Sequence, residues 1–233
     1  MNDVVDHIRR ELGENADPIR AEHSLGYFKS EHTKNDIFLG VKVPIQRSIV
    51  KKYFDKLEPR EVLELLRSEV HEERLTALLI WVSQYKKADI HTKNDIYNLY
   101  LKNTKWIDNW DLVDSSASYI VGAWVFDKDR SILEELSKSK NVWERRIALL
   151  ATFYFIQFGD FDWSIKLAEQ LIDDEHHYIH KASGWMMREI GKRDYDVLIN
   201  FLDQHATRMP RTMLRYAIEK LSEDKRKHYL LLK

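Results

Sequence analysis

Apolar residues recur at intervals of three and four along most of the chain, and this spacing is typical of helices with one buried face. A first helix is predicted at residues 2–13, followed by a second that begins at Pro18. Residues 30–42 read as a loop, and Pro44 and Pro59 after it each suit the first turn of a further helix. Further helices are predicted at roughly 71–87, 92–103, 109–124, 129–138, 142–158, 162–172, 177–191, 194–206, 210–222 and 224–231.

Small residues recur in the second helix of each predicted pair. Ala148, Ala182 and Ala217 are 34 and 35 positions apart, and Ala77 falls about two such periods before Ala148. Ser115 or Ser116 occupies the intervening position. A period near 35 built from helix pairs indicates an all-α fold, an α-solenoid of HEAT-like repeats with a concave binding groove. With no linker between the repeats, we expect one domain over residues 1–233.

In the last four of these helices, the position two before the small residue holds a polar side chain. With Ser116 taken as the small residue, these side chains are Asp114, Arg146, His180 and Arg215. Equivalent positions of stacked repeats line one surface, so the pattern predicts an exposed polar wall, which we place on the concave side. Any exposed helical position would give the same pattern, and that interpretation stays open.

Composition supports helices and restricts the cellular setting. Gly (7) and Pro (4) are scarce. Because strands are joined by turns that need Gly and Pro, this scarcity favours helices with short loops. With no Cys, neither a disulfide nor a thiolate metal site is possible. The charged N-terminus lacks the apolar region of a signal peptide, and no run of 18 apolar residues exists. We therefore expect a cytoplasmic protein without a membrane segment.

Charge is unevenly distributed, although the formal net charge is only -1. Residues 176–233 hold 12 Lys+Arg and 7 Asp+Glu, a net of +5, and residues 1–175 hold the other 25 and 31, a net of -6. A basic last part suits an anionic ligand. Salt-rich helix surfaces that are merely solvated would give the same asymmetry.

Two residues at helical spacing form the main candidate site. Trp110 and Asp114 are four apart, so a helix would put them on one face. The apolar stripe that would bury this helix consists of Leu112, Val113, Ala117, Ile120 and Val121. An aromatic beside a carboxylate is a small, specific surface. Alternatively, Trp110 is partly buried core, and Asp114 is a solvated carboxylate or an ion-pair partner of Arg146.

Other motifs give no support for metal or nucleotide chemistry. The stretch His71-Glu-Glu-Arg-Leu lacks the second His of a zinc protease. His176, His177 and His180 have spacing that would allow a metal, but without a further ligand we expect exposed histidines. No Gly-rich phosphate loop is present, which argues against an ATPase. We expect neither a metal nor a cofactor.

Several longer motifs resemble one family, the AlkD-like DNA alkylation repair glycosylases. They are Asn109-Trp-Asp-Leu-Val-Asp114, Trp143-Glu-Arg-Arg-Ile-Ala148, Lys181-Ala-Ser-Gly-Trp-Met-Met-Arg-Glu-Ile-Gly-Lys192, Met209-Pro-Arg-Thr-Met-Leu-Arg-Tyr-Ala-Ile-Glu-Lys220, Tyr27-Phe-Lys and Phe38-Leu-Gly-Val-Lys-Val-Pro44. The motifs occur in the family's order and span almost the whole chain, so together they are specific.

The resemblance implies a role for particular residues. Asp114 matches the family's catalytic carboxylate, Trp110 and Trp185 match its two aromatic residues, and Arg146 matches its arginine, with Arg145 as the alternative. Tyr27 resembles a further cleft residue. We expect the DNA contacts to come from Tyr27, Arg145, Lys181, Arg188, Arg211 and Arg215.

The implied activity is excision of cationic N3- and N7-alkylpurines from double-stranded DNA by a monomer, without strand cleavage. The chemistry of the residues agrees with it. A carboxylate stabilises the sugar cation that forms as the base leaves and positions water, and indole faces attract the cationic nucleotide. The alternative is a non-catalytic HEAT-like scaffold that binds DNA or a protein partner, because fold alone does not decide function.

Overall fold

A computed structural model of the chain describes residues 3–28 and 36–232. Within these residues every regular element is a helix, and the only strand-like pairing is an isolated parallel bridge between Ile37 and Val70. The predicted all-α class is therefore confirmed. Part of the predicted loop at 30–42 falls on residues 29–35, which lie outside the described residues. No described helix has the length and apolar character needed to cross a membrane.

The chain divides into two compact units, Met1–Ile120 and Val121–Lys233. That all 233 residues form a single repeat domain stays a prediction. The helices of unit 1 are α1 Asp3–Glu14, α2 Pro18–Tyr27, α3 Val43–Tyr53, α4 Leu63–Leu66, α5 His71–Lys87, α6 Ile90–Lys102 and α7 Trp110–Asp114.

Helix α5 forms the centre of unit 1. Its residues from His71 to Val82 are all buried, and α1, α3, α4, α6 and α7 pack against it. The small predicted anchor, Ala77, is fully buried in this helix. Helix α5 begins with His71-Glu-Glu-Arg74, so it brings polar side chains into the interior, where each needs a partner. Those partners shape the candidate site.

Unit 2 contains the helices that follow residue 120. They are α8 Ala123–Val125, α9 Ser131–Ser137, α10 Val142–Gln157, α11 Asp162–Gln170, α12 His177–Gly191, α13 Tyr195–His205, α14 Arg211–Ala217 and α15 Glu223–Leu231. Helices α10, α12 and α14 pack side by side in that order, and their predicted anchors Ala148, Ala182 and Ala217 are buried. Gly184 lets α12 approach the α14 backbone at Met213, where any side chain would collide.

The helix predicted at 109–124 is wrong as a single element. Helix α7 ends at Asp114, and a π-helical turn covers Ser118–Gly122 before α8. Ser116 explains the interruption. Its hydroxyl donates to the Leu112 carbonyl at 2.6 Å and lies 2.9 Å from the Tyr100 hydroxyl, and such back-bonding by serine bends helices. Ser116 is therefore the buried small residue of this repeat, whereas Ser115 is half-buried.

The helix predicted from Pro59 is also shorter than expected. Residues 59–62 form turns, and only the four residues of α4 are α-helical. The helix predicted at 210–222 is too long as well, because α14 ends at Ala217. The remaining predicted helices agree with the structure to within two residues at each end, and 71–87 and 177–191 agree at both ends. Long helices with a continuous apolar pattern were thus the most predictable.

Candidate functional site

Helix α7 carries the predicted pair of residues, Trp110 and Asp114. The buried Asn109 begins the helix, and its side chain accepts a hydrogen bond from the Trp110 amide at 2.8 Å. Leu112 and Val113 are fully buried and fix the inner face of the helix. Trp110 and Asp114 are half-buried on the other side, where they line one cleft. The helix therefore presents both side chains together, as the four-residue spacing predicted.

The cleft has a volume of about 310 Å³ and lies entirely within unit 1. Its walls come from α3, α5, α7 and the segment after α7. The lining residues are Val43, Arg47, Leu75, Leu79, Val82, Lys86, Trp110, Asp111, Asp114, Ser115 and Tyr119. The cleft thus has apolar residues in its lining, together with two carboxylates, an indole and two cationic side chains.

Four exposed cations lie at this cleft or next to it, and we call them the basic rim: Arg47, Lys51, Lys86 and Lys87. All four line a neighbouring cleft that shares Arg47 and Lys86 with the first. Among the residues that the structure describes, none of the four forms an ion pair with a carboxylate. Lys52, next to Lys51 in α3, differs because it pairs with Glu11 at 2.7 Å. The rim is a positive strip that suits a polyanion.

Aromatic rings support Trp110 from behind. The Trp110 ring stacks on Phe28 with centroids 5.6 Å apart and an interplanar angle of 20°. Phe28 stacks in turn on Phe38 at 5.4 Å and contacts the His71 ring at 5.0 Å. Offset stacks of this kind limit the rotation of each ring. The indole at the cleft is therefore held in one orientation.

A buried ion network lies behind α7. His71 donates from Nε2 to Asp111 Oδ2 at 2.7 Å and from Nδ1 to Asp36 Oδ2 at 3.3 Å. Arg74, one turn along α5, donates to Asp36 at 2.6 Å and to Asp108 at 3.3 Å. His71 and Arg74 are almost completely buried, so each depends on these carboxylates.

The network shifts the titration of its members. Burial acts to lower the pKa of His71, but the hydrogen bonds to Asp111 and Asp36 outweigh it and raise that pKa to about 9. Burial acts to raise the pKa of Asp36, yet the bonds from His71 and Arg74 lower it. Burial raises the pKa of Asp108 in spite of the neighbouring Arg74. His71 is therefore an imidazolium at neutral pH.

Arg146 and Trp185 belong to unit 2. Arg146 is buried, with its Nη1 donating to the Tyr178 carbonyl at 2.6 Å. Trp185 is half-buried, with its Nε1 donating to Glu189 at 3.1 Å and its ring 5.9 Å from that of Phe153. The expectation of one exposed polar wall is wrong at Arg146, because its guanidinium caps a backbone carbonyl. At the equivalent positions His180 is half-buried and Arg215 is exposed.

Arg145 is held within its own unit. Its guanidinium donates to Asp174 at 2.7 Å and 3.3 Å, and to the carbonyls of Ser139 at 2.9 Å and Lys140 at 3.2 Å. Such a multiply bonded arginine joins the turn before α10 to the turn before α12. A DNA contact from Arg145 stays a prediction, as does the catalytic part given to Arg146.

The other predicted DNA-binding residues differ in their surroundings. Arg188 pairs with Glu219, and Lys181 lies over the Tyr178 ring at 5.9 Å. Arg211 is exposed and donates to the Leu230 carbonyl at 3.0 Å. Tyr27 is the last residue of α2, but its side chain lies outside the described part of the chain. Roles in DNA binding for these residues and for Arg215 stay predictions.

Sequence reasoning missed Asp111 and the basic rim at the cleft, and it missed His71, which lies behind the cleft and bonds to Asp111. Asp111 lies inside the quoted Trp110–Asp114 motif, and its spacing of three from Asp114 would have put both carboxylates on one face. In the sequence, His71 stands in an incomplete zinc-protease motif, which does not indicate its contact with Asp111. Across the described residues, no group of three or more His, Asp or Glu is arranged to hold a metal ion.

The fold and the cleft define a class of protein: an all-α protein built from helix pairs, with a carboxylate and an indole at a basic-rimmed cleft. Residues 8–221 match the family model described as DNA alkylation repair enzyme. The chain belongs to this family, so its function lies in the repair of alkylated DNA and DNA is its class of partner. A search of curated proteins finds no match.

A solved structure supports the fold assignment. A protein from Enterococcus faecalis, described as a predicted DNA alkylation repair enzyme, is similar with a TM-score of 0.71. The two sequences are 16% identical, and the match covers 90% of this chain and 98% of the other. At this identity the likeness concerns the fold.

Proposed function

We propose that the protein is a monofunctional DNA glycosylase that acts as a monomer on double-stranded DNA. It excises purines made cationic by alkylation at N3 or N7. The observation that carries the proposal is that Trp110 and Asp114 line one cleft in a chain that belongs to a DNA alkylation repair family. Catalysis by these residues requires both to reach the same nucleotide, and a shared cleft allows it.

The proposed reaction needs no general acid from the protein. An alkylated purine already carries a positive charge, so the electron pair of the N-glycosidic bond leaves with the base without prior protonation. The sugar gains oxocarbenium character, which the Asp114 carboxylate stabilises by its charge while orienting the water that attacks C1′. The Trp110 face attracts the cationic nucleotide. An abasic site, a neutral free base and one proton, which the attacking water releases to solvent, are the products.

The basic rim supports DNA as the ligand of this cleft. Arg47 and Lys86 line the cleft beside Asp114, and Lys51 and Lys87 continue the positive strip away from it. A cation that has no carboxylate partner does not have to break an ion pair before it binds a phosphate. Phosphate contacts fix the register of a duplex without reading its sequence. The resemblance also implies a part in excision for Trp185 and Arg146, which belong to unit 2.

Base release tests the proposal. A duplex with one N7-methylguanine is incubated with excess protein, and free base and strand cleavage are measured separately. We expect lesion-dependent release well above the spontaneous rate, with strand breaks appearing only after alkaline treatment. Release at the spontaneous rate would refute the proposal and favour the scaffold alternative. DNA binding that ignores the lesion would then indicate a DNA scaffold, and the absence of DNA binding a protein-binding one.

A further inference from the structure

The strongest unassigned feature is the contact between His71 and α7. His71 is the first residue of α5, and its side chain is 3% exposed. Its Nε2 donates to Asp111 Oδ2 at 2.7 Å, a bond that joins residues 40 positions apart. Asp111 lies one turn before Asp114 and lines the same cleft. The buried His71 side chain of α5 thus binds α7, the helix that presents the proposed catalytic carboxylate.

Helix α7 needs such a hold. It has five residues, fewer than a helix requires to be stable by itself, so its orientation depends on tertiary contacts. Among the described residues, Asp111 Oδ1 is buried without a hydrogen-bond partner, and Oδ2 has only His71. Without His71 the Asp111 carboxylate would therefore have no partner there, and α7 would lose a tertiary contact that fixes its orientation.

Trp110 is connected to the same histidine by stacking. The His71 ring lies 5.0 Å from Phe28 and 4.9 Å from Phe38, and Phe28 stacks on the Trp110 indole. The His71 ring therefore contacts both Asp111 in the first turn of α7 and Phe28, the ring that stacks on the Trp110 indole. A shift of that ring would move both side chains that face the cleft.

We propose that His71 and Asp111 are positioning residues that set the orientation of Trp110 and Asp114 for base excision. This inference rests on the proposed function, because it names what holds that site in place. His71 itself does not face the cleft and acts through Asp111 and Phe28.

The bridge depends on the protonation of His71. Both ring nitrogens face carboxylate oxygens, and an ionised carboxylate only accepts hydrogen bonds, so both nitrogens must carry protons. Among the described residues, the charged groups around the ring are Asp36 before α5, Arg74 on α5 itself, Asp108 before α7 and Asp111 on α7. Burial and Arg74 act to lower the pKa of His71, but the hydrogen bonds to Asp111 and Asp36 outweigh them and raise that pKa to about 9. Loss of this proton should loosen α7.

Single-turnover excision with saturating protein tests the proposal. We expect His71→Ala and Asp111→Ala each to lower the rate by about tenfold to a hundredfold, the size of effect that a displacement of about 1 Å produces. His71→Gln, which keeps one donor, should recover part of the rate. The double variant should be no slower than the slower single variant, because both remove one support. The exposed His91 gives the matched control, His91→Ala.

Binding and pH separate positioning from general destabilisation. The Kd for lesion DNA should change less than threefold in these variants, while the wild-type rate falls as pH rises through about 9, the pKa of His71. His71→Gln should lack that alkaline fall, with spontaneous release subtracted at each pH. An equal fall in wild type and His71→Gln, or unchanged rates in both alanine variants, would overturn the proposal.

A second readout needs no activity. An NMR titration of the His71 ring should give a pKa near 9 in the wild type and a clearly lower value in Asp111→Ala. An ordinary histidine pKa in the wild type would overturn the bridge. If the wild type releases no base, the glycosylase proposal fails by itself, and the titration still decides whether the bridge holds α7.

Discussion

Replacement of His71 should alter the dependence of stability on pH, because its pKa is higher in the folded chain than in the unfolded chain. The ordinary value is 6.5 and the folded value is about 9, a difference of about 2.5. Each pKa unit corresponds to about 1.4 kcal/mol, so proton binding by folded His71 is linked to on the order of 3 kcal/mol of stability. A side chain buried to this degree is little screened by solvent.

The sign follows from the direction of the shift. A raised folded pKa stabilises the folded state fully below pH 6.5, less as pH rises from there, and not at all above about 9. The wild type should therefore be more stable than His71→Gln by the largest margin near pH 6. That margin should shrink by on the order of 3 kcal/mol by pH 10. Other titrating groups cancel in the difference between the two proteins.

Urea unfolding at pH 6, 8 and 10 and constant ionic strength measures this margin, with circular dichroism and tryptophan fluorescence recorded together. Coincident curves from the two probes would show that one transition is being followed. His91→Ala is the control and should track the wild type at every pH. A margin that is the same at pH 6 and pH 10 would refute the assignment of an imidazolium to His71.

Three further predictions concern the rest of the chain. Lys51→Glu should weaken binding to duplex DNA and reduce the salt dependence of the Kd by about one phosphate contact. Lys52→Glu should have little effect on DNA binding, because Lys52 of α3 is already paired with Glu11 of α1. A fluorescence anisotropy titration at several salt concentrations compares the two variants. Gly184→Ala should destabilise unit 2 by about 1–3 kcal/mol because the new methyl group meets the α14 backbone, and urea unfolding measures it. Trp185→Ala should slow single-turnover excision by about tenfold through loss of a cation–π contact, with Trp163→Ala as the control; equal rates would contradict the role taken from the resemblance.

Local pattern predicted much of the helical framework. The continuous apolar spacing of 71–87 correctly predicted both ends of α5, in which Ala77 is buried. The recurring Ala148, Ala182 and Ala217 correctly marked the helices that pack together in unit 2. These features depend on residues close in sequence, which is why a helical period reveals them.

The failures have a different physical origin. Ser116 ends α7 because its hydroxyl bonds to a backbone carbonyl, a choice that an apolar stripe does not encode. Arg146 is buried because its guanidinium finds the Tyr178 carbonyl 32 positions away. His71 depends on Asp36 and Asp111, which are 35 and 40 positions away. Long-range polar pairing of this kind is visible only in three dimensions.

The central claim is that the Asp114 carboxylate promotes base release, and the single-turnover rate of Asp114→Asn tests it most directly. Wild type and Asp114→Asn are compared on a duplex with one N7-methylguanine, with the exposed Asp95→Asn of α6 as the matched control. We expect Asp114→Asn to bind the duplex as the wild type does and to release base about 100- to 1000-fold more slowly, while Asp95→Asn keeps the wild-type rate. Release by Asp114→Asn at the wild-type rate would contradict the claim.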